Sequence, residues 1–389
     1  MQCMGFISYV TKKESSVNYK AITISCCLLS FIMICSAVYG CTEFRVTSKD
    51  KTVVIGRSME WGEDMHSRVV VQPRGQNRIS KAPNGKDGLH WQSKYGMVYV
   101  DAYGLDIATD GMNEKGLSVG LLLFPGCGKF QTIPGGKNGM ALSHMALVFW
   151  LLGNFETVEQ VRDALSKVYV WAEPVDIPMR KNFVWPTHYG IYDATGKGIV
   201  VEYTKDGLKI FDNEIGVLTN SPTYDWHLTN LRNYVGLTSI QVKPVQMGEL
   251  SLAPIGQGTG LHGIPGDFTP PSRFVRASAM VYFADPASNT QEAIVLTNHI
   301  LNTVDIPLGT IKDIIHDVAH KDYSQWVVLK DLTNKDFYFR TYKNLTLAKI
   351  DLKKLDFSPH AKSYTLSMEE GAAPFIDISD KFLTIKKSN

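Results

Sequence analysis

The residues with the greatest chemical reach sit at one junction, Gly40-Cys41-Thr42-Glu43. An uncharged, largely apolar run at 21–38 leads into it, and Lys12, Lys13 and Lys20 come before that run. This is the layout of a secretory leader, with Val38-Tyr39-Gly40 as the small or modest residues at its exit. A cut after Gly40 makes Cys41 the first residue of the mature chain, with both a thiol and a free α-amine. That amine has an ordinary pKa of about 7.7–8.0, close to working pH. One residue then supplies a nucleophile and its general base, with no separate histidine. The chemistry expected of it is attack on an amide carbonyl. Two other readings compete. The apolar run is near the ~18-residue floor for a membrane span, as in a signal anchor. Gly40-Cys41 also resembles the end of a lipidation signal, and a lipid there would block the amine. We read residues 1–40 as a cleaved signal peptide and the chain as exported, periplasmic or secreted.

Removing that leader leaves 349 residues, read as a single catalytic domain over 41–389. Four of the six cysteines go with the leader, and Cys41 and Cys127 remain. Two cysteines in an exported chain do not make a disulfide scaffold. Basic and acidic residues nearly balance, 40 against 38, so neither nucleic acid nor a membrane surface is expected as a partner. No His/Cys/acid spacing reads as a metal site. Lys115-Gly116 and the glycine-rich 256–266 stretch lack the strand and helix that flank a phosphate loop. No cofactor is expected.

The elements that must position Cys41 begin at once. Residues 41–47 alternate as a strand, 48–51 form a turn, and 52–55 form a β-branched return strand. This hairpin brings Arg57 back toward Cys41. Strands are expected at 68–72 and 96–101, with a loop at 73–93. Residues 110–116 read as a turn, 117–124 as a fully apolar strand, and 125–137 as a loop around Cys127. Residues 138–152, apolar nearly all round, read as a buried helix, followed by an amphipathic helix at 157–168. A meander is expected at 189–192, 198–203, 208–211 and 217–219. Helices follow at 226–234, 273–283 and 291–303, the second opened by Thr269-Pro270-Pro271. A late hairpin covers 325–329 and 337–342. Strands and helices in blocks, mostly hairpin-linked, predict an α+β fold with antiparallel sheets and helices outside. His144 reads as a core residue, and His188, His227 and His262 form no pattern. Arg276 reads as one half of a surface ion pair.

Five motifs occur in order: Cys41-Thr42, Gly56-Arg57-Ser58-Met59-Glu60-Trp61, Asn113-Glu114-Lys115-Gly116-Leu117, Leu218-Thr219-Asn220-Ser221-Pro222 and Gly266-Asp267-Phe268-Thr269-Pro270. Together they resemble the choloylglycine hydrolases, which include bile salt hydrolases and penicillin V acylases, over nearly the whole mature chain. The resemblance implies an αββα four-layer sandwich of the N-terminal-nucleophile type and cofactor-free hydrolysis of linear amides. It implies a homotetramer as well.

The resemblance also assigns residues. Cys41 is the nucleophile. Arg57, sixteen residues on, corresponds to the family's active-site arginine, and a cation beside sulfur favours thiolate. Glu60 stands where the family usually has Asp, a residue that hydrogen-bonds the cysteine's amine. Asn220 corresponds to the oxyanion donor, and Arg273 to a second active-site arginine. Bile salt hydrolases take a further oxyanion donor from an Asn, but this chain has Leu123 there, so a backbone N–H must serve. Met59, Trp61, Met65, Phe124 and Phe130, with Leu123 beside them, are the expected walls of an apolar acyl pocket. The substrate expected is a conjugated bile salt. Penicillin V and N-acyl homoserine lactones are the alternatives within the family. A membrane-anchored or lipidated binding protein without catalysis is the alternative of another class.

Overall fold

The structure, a computed structural model, describes residues 40–369 except Asn84, Met179 and His316. The predicted leader at 1–39 lies outside the described residues. The chain opens with β1 (Cys41–Thr47) and β2 (Val53–Trp61), an antiparallel hairpin in the expected place. Its tight turn has Lys51 at φ 70 and is closed by Ser48 N donating to Thr52 O at 3.0 Å. The chain then builds a second sheet from β3 (Arg68–Gln72), β4 (Met97–Val100), β5 (Asp110–Asn113), β6 (Ser118–Leu123), β7 (Thr187–Tyr192), β8 (Gly198–Thr204) and β9 (Gly207–Asp212). β10 (Val217–Leu218) returns to the first sheet beside β1. β11 (Tyr323–Asp331), β12 (Asp336–Thr341) and β13 (Ala348–Asp351) complete that sheet, and β14 (Tyr364–Ser367) edges the second.

The first sheet runs β10-β1-β2-β11-β12-β13, and the second runs β9-β8-β7-β6-β5-β4-β3-β14, antiparallel throughout. Helices α1 (Leu147–Asn154) and α2 (Val158–Leu165) follow β6, and α1 packs on β5 and β6. Next come α3 (Tyr224–Leu231), α4 (Pro270–Phe283) and α5 (Thr290–Asn302). α4 lies on β1 and α5 on β2 and β11. The layers are therefore helix, sheet, sheet, helix. β2 and β6 are buried along their whole length, as strands covered on both faces must be.

Local sequence explains most boundaries. Thr157 caps α2 by accepting from Gln160 N, and Asn289 caps α5 by accepting from Glu292 N at 3.0 Å. Three expectations are corrected. The predicted loop at 73–93 contains a hairpin, Asn77–Lys81 with Asp87–Gln92, whose half-exposed strands are too polar to announce themselves. The predicted helix at 138–152 begins instead as a 3₁₀ turn, Asn138–Met140. It continues as a strand, Ala141–Ser143, parallel to Tyr169–Trp171, and turns helical only at Leu147. An apolar run without periodicity does not distinguish strand from helix. The predicted turn at 110–116 is β5 up to Asn113, whose side chain then builds the turn. Its Oδ1 accepts from Lys115 N and Leu117 N, and its Nδ2 donates to Leu152 O and Phe155 O. Gly116, at φ 90, supplies the left-handed residue.

Candidate active site

Register brings the chemistry together. Cys41 faces Met59 and Glu43 faces Arg57 across the first hairpin. Period-two alternation puts Cys41 and Glu43 on the face turned to the second sheet, with Arg57 beside them. Arg57 is wholly buried. Its Nη2 is 3.6 Å from Cys41 Sγ and donates to Leu121 O at 2.5 Å. Its Nη1 donates to Thr109 O at 3.0 Å and lies 3.5 Å from Asp110 Oδ2. Met59 Sδ lies 3.8 Å from the Cys41 sulfur.

Asn220 and Arg273 hold the other side. Cys41 N donates to Asn220 Oδ1 at 2.8 Å, and Asn220 Nδ2 donates to Leu123 O at 2.9 Å. Arg273 Nη2 donates to the same Asn220 Oδ1 at 2.8 Å, while Nη1 donates to Cys41 O at 2.6 Å and Thr42 Oγ1 at 2.7 Å. Arg273, in the first turn of α4, feels the negative charge of Glu60 at longer range. Its direct hydrogen-bond partners are oxygen dipoles, an amide and two carbonyls (Phe268 O at 2.8 Å is the last) with one hydroxyl. Cys41, Arg57, Asn220 and Arg273 thus form one cluster. Arg276 is a correction. It is 7% exposed, and its donors go to the carbonyls of Thr303, Pro265 and Asp267 rather than to a surface acid.

Glu60 lies on the flank facing Gly40. Glu60 N donates to Gly40 O at 3.0 Å, and Ser324 Oγ donates to Glu60 Oε1 at 2.8 Å. Oε2 has no hydrogen-bond partner among the described residues. A Cβ on Gly40 would come within 3.0 Å of Glu60 Cβ and 3.3 Å of Oε2, so residue 40 must be small. With Gly40 attached, the nitrogen of Cys41 is a peptide N–H, and its partner is Asn220 rather than Glu60.

Electrostatics here are governed by exclusion of water. Cys41 is 1% exposed, and burial pushes its thiol up, beyond what Arg57 takes back. The expected cation is present, but desolvation outweighs it in the full-length chain. Burial also raises the Glu60 carboxyl to about 7, against the pull of Arg273. Asp322, two residues before Ser324, is raised to about 7 by burial and by the Glu60 charge.

Of the expected apolar walls, Met59 and Leu123 touch this cluster, and the others have partners of their own. Trp61 tilts against Trp185 with ring centres 5.7 Å apart, and Met65 is fully buried. Leu123 joins Asn220 through its carbonyl, while Phe124 stacks on His188 at 4.4 Å. Phe130 is half-buried against His144 and Tyr203. Phe124 N–H, one candidate for the second oxyanion donor, is occupied by Pro186 O at 2.6 Å. Two histidines missed by sequence reasoning shape the turn. His188 Nε2 donates to Thr219 O at 2.9 Å, and His227 Nε2 to Asn220 O at 2.8 Å. Burial holds His227 down to about 4, so it stays a neutral donor at physiological pH. Proximity to Leu218–Pro222 was the only hint in the sequence. Among the described residues, no group of three or more His, Cys, Asp or Glu side chains is placed to hold a metal ion.

Two facing antiparallel sheets, helices outside, and a cysteine opening the central hairpin define an α+β hydrolase fold of the N-terminal-nucleophile class. The sequence profile of the linear amide C–N hydrolases, choloylglycine hydrolase family, matches residues 41–366, and the chain belongs to that family. It is similar to the bile salt hydrolase/transferase of Clostridium perfringens, 38% identical over 324 residues, covering 81% of this chain and 93% of the relative. Penicillin V acylase of Pectobacterium atrosepticum is 26% identical over 369 residues, covering 89% and 90%. A solved variant of conjugated bile acid hydrolase from Clostridium perfringens superimposes with a TM-score of 0.75 at 32% identity, over 87% of this chain and 99% of that one. The protein is an amide hydrolase of this family.

Proposed function

We propose that the mature protein starts at Cys41 and hydrolyses the amide bond of conjugated bile salts with Cys41 as nucleophile. The observation that carries this is the Cys41 environment: sulfur against Arg57, nitrogen on Asn220, carbonyl on Arg273. The thiolate attacks the amide carbonyl. The protonated α-amine gives its proton to the leaving amine, and water then cleaves the thioester. Asn220 Nδ2 carries two hydrogens and spends one on Leu123 O, so the other is available to the oxyanion. Removal of Gly40 uncovers Glu60, whose unpartnered Oε2 then receives the new amine. The family profile begins its match at residue 41, which agrees with that start. Bile salts are favoured because relatives named for them reach 38% identity, against 26% for the penicillin V acylase.

Export and assembly belong to the same proposal. A hairpin of Val245–Met247 and Leu250–Leu252 is exposed throughout, and a two-stranded ribbon alone in water is marginal. The segment leading into it supplies Val235 and Leu237 to an apolar groove of about 550 Å³, with Val275, Ala279 and Tyr282. These surfaces support a homo-oligomer; its reading as a tetramer rests on the family resemblance. The test is mass spectrometry of the mature N-terminus together with a panel of conjugated bile salts, penicillin V and N-acyl homoserine lactones scored by released amine. A fully active protein beginning elsewhere than Cys41 would sink the mechanism. Preferential release from penicillin V would move the substrate reading to the acylases.

A further inference from the structure

Behind the Cys41 sulfur, the seam between the sheets holds four buried charges that the mechanism above leaves unused or half used. Glu43, Arg57, Asp110 and Lys330 are each 0% exposed. Lys330 Nζ lies 2.8 Å from the Asp110 carboxylate and 3.3 Å from Glu43 Oε1. Asp110 in turn faces Arg57 at 3.5 Å, and Arg57 faces the sulfur at 3.6 Å. Two cations and two carboxylates balance. The chain of contacts runs Glu43, Lys330, Asp110, Arg57, Cys41.

The fold makes room for this chain at a cost. In the second sheet, Asp110 pairs with Gly120, and Gly120 with Gly190, forming one row across β5, β6 and β7. A Cβ on Gly190 would sit 1.9 Å from Glu43 Oε2, and one on Gly120 2.5 Å from Oε1. Two glycines in strand interiors weaken the sheet, and they are explained by the carboxylate lying on them. Unpaired buried charge costs far more than a paired one, so each charge here depends on the others.

We propose that Glu43 and Lys330 are positioning residues that set the charge Arg57 presents to Cys41. The proposal rests on Cys41 being the nucleophile. Lys330 sits closer to Asp110 than Arg57 does, and so leaves the guanidinium only partly neutralised toward the sulfur. Glu43 limits the excess positive charge. The groups facing Glu43 are Arg57 from β2, Lys330 from β11, Asp110 from β5 and Tyr192 from β7, with Cys41 and Arg45 on its own strand. Burial pushes the Glu43 carboxyl up to about 7 against the pull of Lys330, and burial first, then the Glu43 charge, raises the Tyr192 hydroxyl.

The test is the pH dependence of iodoacetamide alkylation of Cys41, read on its own peptide and apart from Cys127, with kcat/KM against pH on the same processed enzyme. Glu43→Gln keeps the shape and removes one negative charge. It should lower the Cys41 midpoint by roughly one pH unit, with a several-fold faster reaction on the acid side. The double variant Glu43→Gln with Lys330→Met removes one charge of each sign and should return the midpoint to within a few tenths of wild type. Neutral replacement of a buried pair is usually tolerated, so the double variant also serves if the single one does not fold. A single variant with an unmoved midpoint, or a double variant displaced by a full unit, overturns the proposal. A purely structural role would change yield or kcat without this reversal. Hydrolysis that survives in Cys41→Ala would instead remove the nucleophile reading, a separate outcome that the alkylation curve does not imitate.

Discussion

In the seam between the sheets, Glu43, Arg57, Asp110 and Lys330 lie fully buried. In the hairpin of residues 245–252, by contrast, Val245, Met247, Leu250 and Leu252 stand in solvent. Both regions reverse the usual distribution of charge and apolar surface. The difference between them is in partners. Each seam charge has an opposite charge inside the chain, although Glu43 Oε2 and Arg57 Nε have no hydrogen-bond partner among the described residues. The hairpin has only its own two strands and no cover among the described residues. Reversals of this kind concentrate where a protein does something other than fold. The seam is read as chemistry and the hairpin as assembly.

That comparison breaks first at the seam's edge. Cys41→Ala should abolish amide hydrolysis while leaving the melting temperature within a few degrees, because it removes one sulfur from a strand end. Calorimetry and released amine, measured together, check both halves. Cys41→Ser should be nearly as inactive, since a hydroxyl is far less ionised than a thiol. Asn220→Ala comes next. Its kcat should fall by roughly 10²–10³, as loss of a single oxyanion donor does. An unchanged kcat would reduce Asn220 to a support that ties Cys41 N, Arg273 and Leu123 O together.

A pH experiment sharpens the picture further. Glu60 has an ordinary value of 4.5 and is raised to about 7 in the folded chain that retains Gly40. Folding therefore favours its neutral form. The stabilisation is complete below about pH 4.5 and is lost as pH rises through about 7. Glu60→Gln in an unprocessed chain should flatten denaturation midpoints between pH 5 and 8, and a slope as steep as wild type would remove Glu60 as its source. Asp322, raised by burial first and by the Glu60 charge second, should fall part of the way with it. The smallest effect on the fold belongs to the hairpin. Met247→Glu with Leu250→Glu should change monomer stability by no more than about 0.5 kcal/mol, as exposed substitutions do. If the chain assembles as proposed, sedimentation should nonetheless show the oligomer dissociated. A tetramer that survives both charges would end the assembly reading of that surface.

What the sequence disclosed follows a physical rule. The first hairpin, and with it the approach of Arg57 to Cys41, was legible because a short turn fixes register. The helices with Thr157 and Asn289 as caps were legible for similar local reasons. The Asp110–Gly120–Gly190 row was not, because it exists only when one sheet lies on another. Glycines inside apolar strands were its only trace. Arg276 was misread, and the histidines at 188 and 227 passed over, because their partners are backbone carbonyls, which leave no residue type to match in the sequence. The 138–152 stretch failed differently, through apolar content too uniform to carry a period.

Gly40 is buried, its carbonyl paired with Glu60 N and its Cα against the Glu60 side chain. The bond from Gly40 to Cys41 is therefore an interior bond of the finished domain. A peptidase working from solution needs an extended, accessible strand, which this chain offers only before β1 seats between β10 and β2. If the chain is cut after Gly40, as proposed above, folding and cutting by such an enzyme are in a race. Whichever finishes first decides whether the cysteine nitrogen ends as an amine or stays an amide.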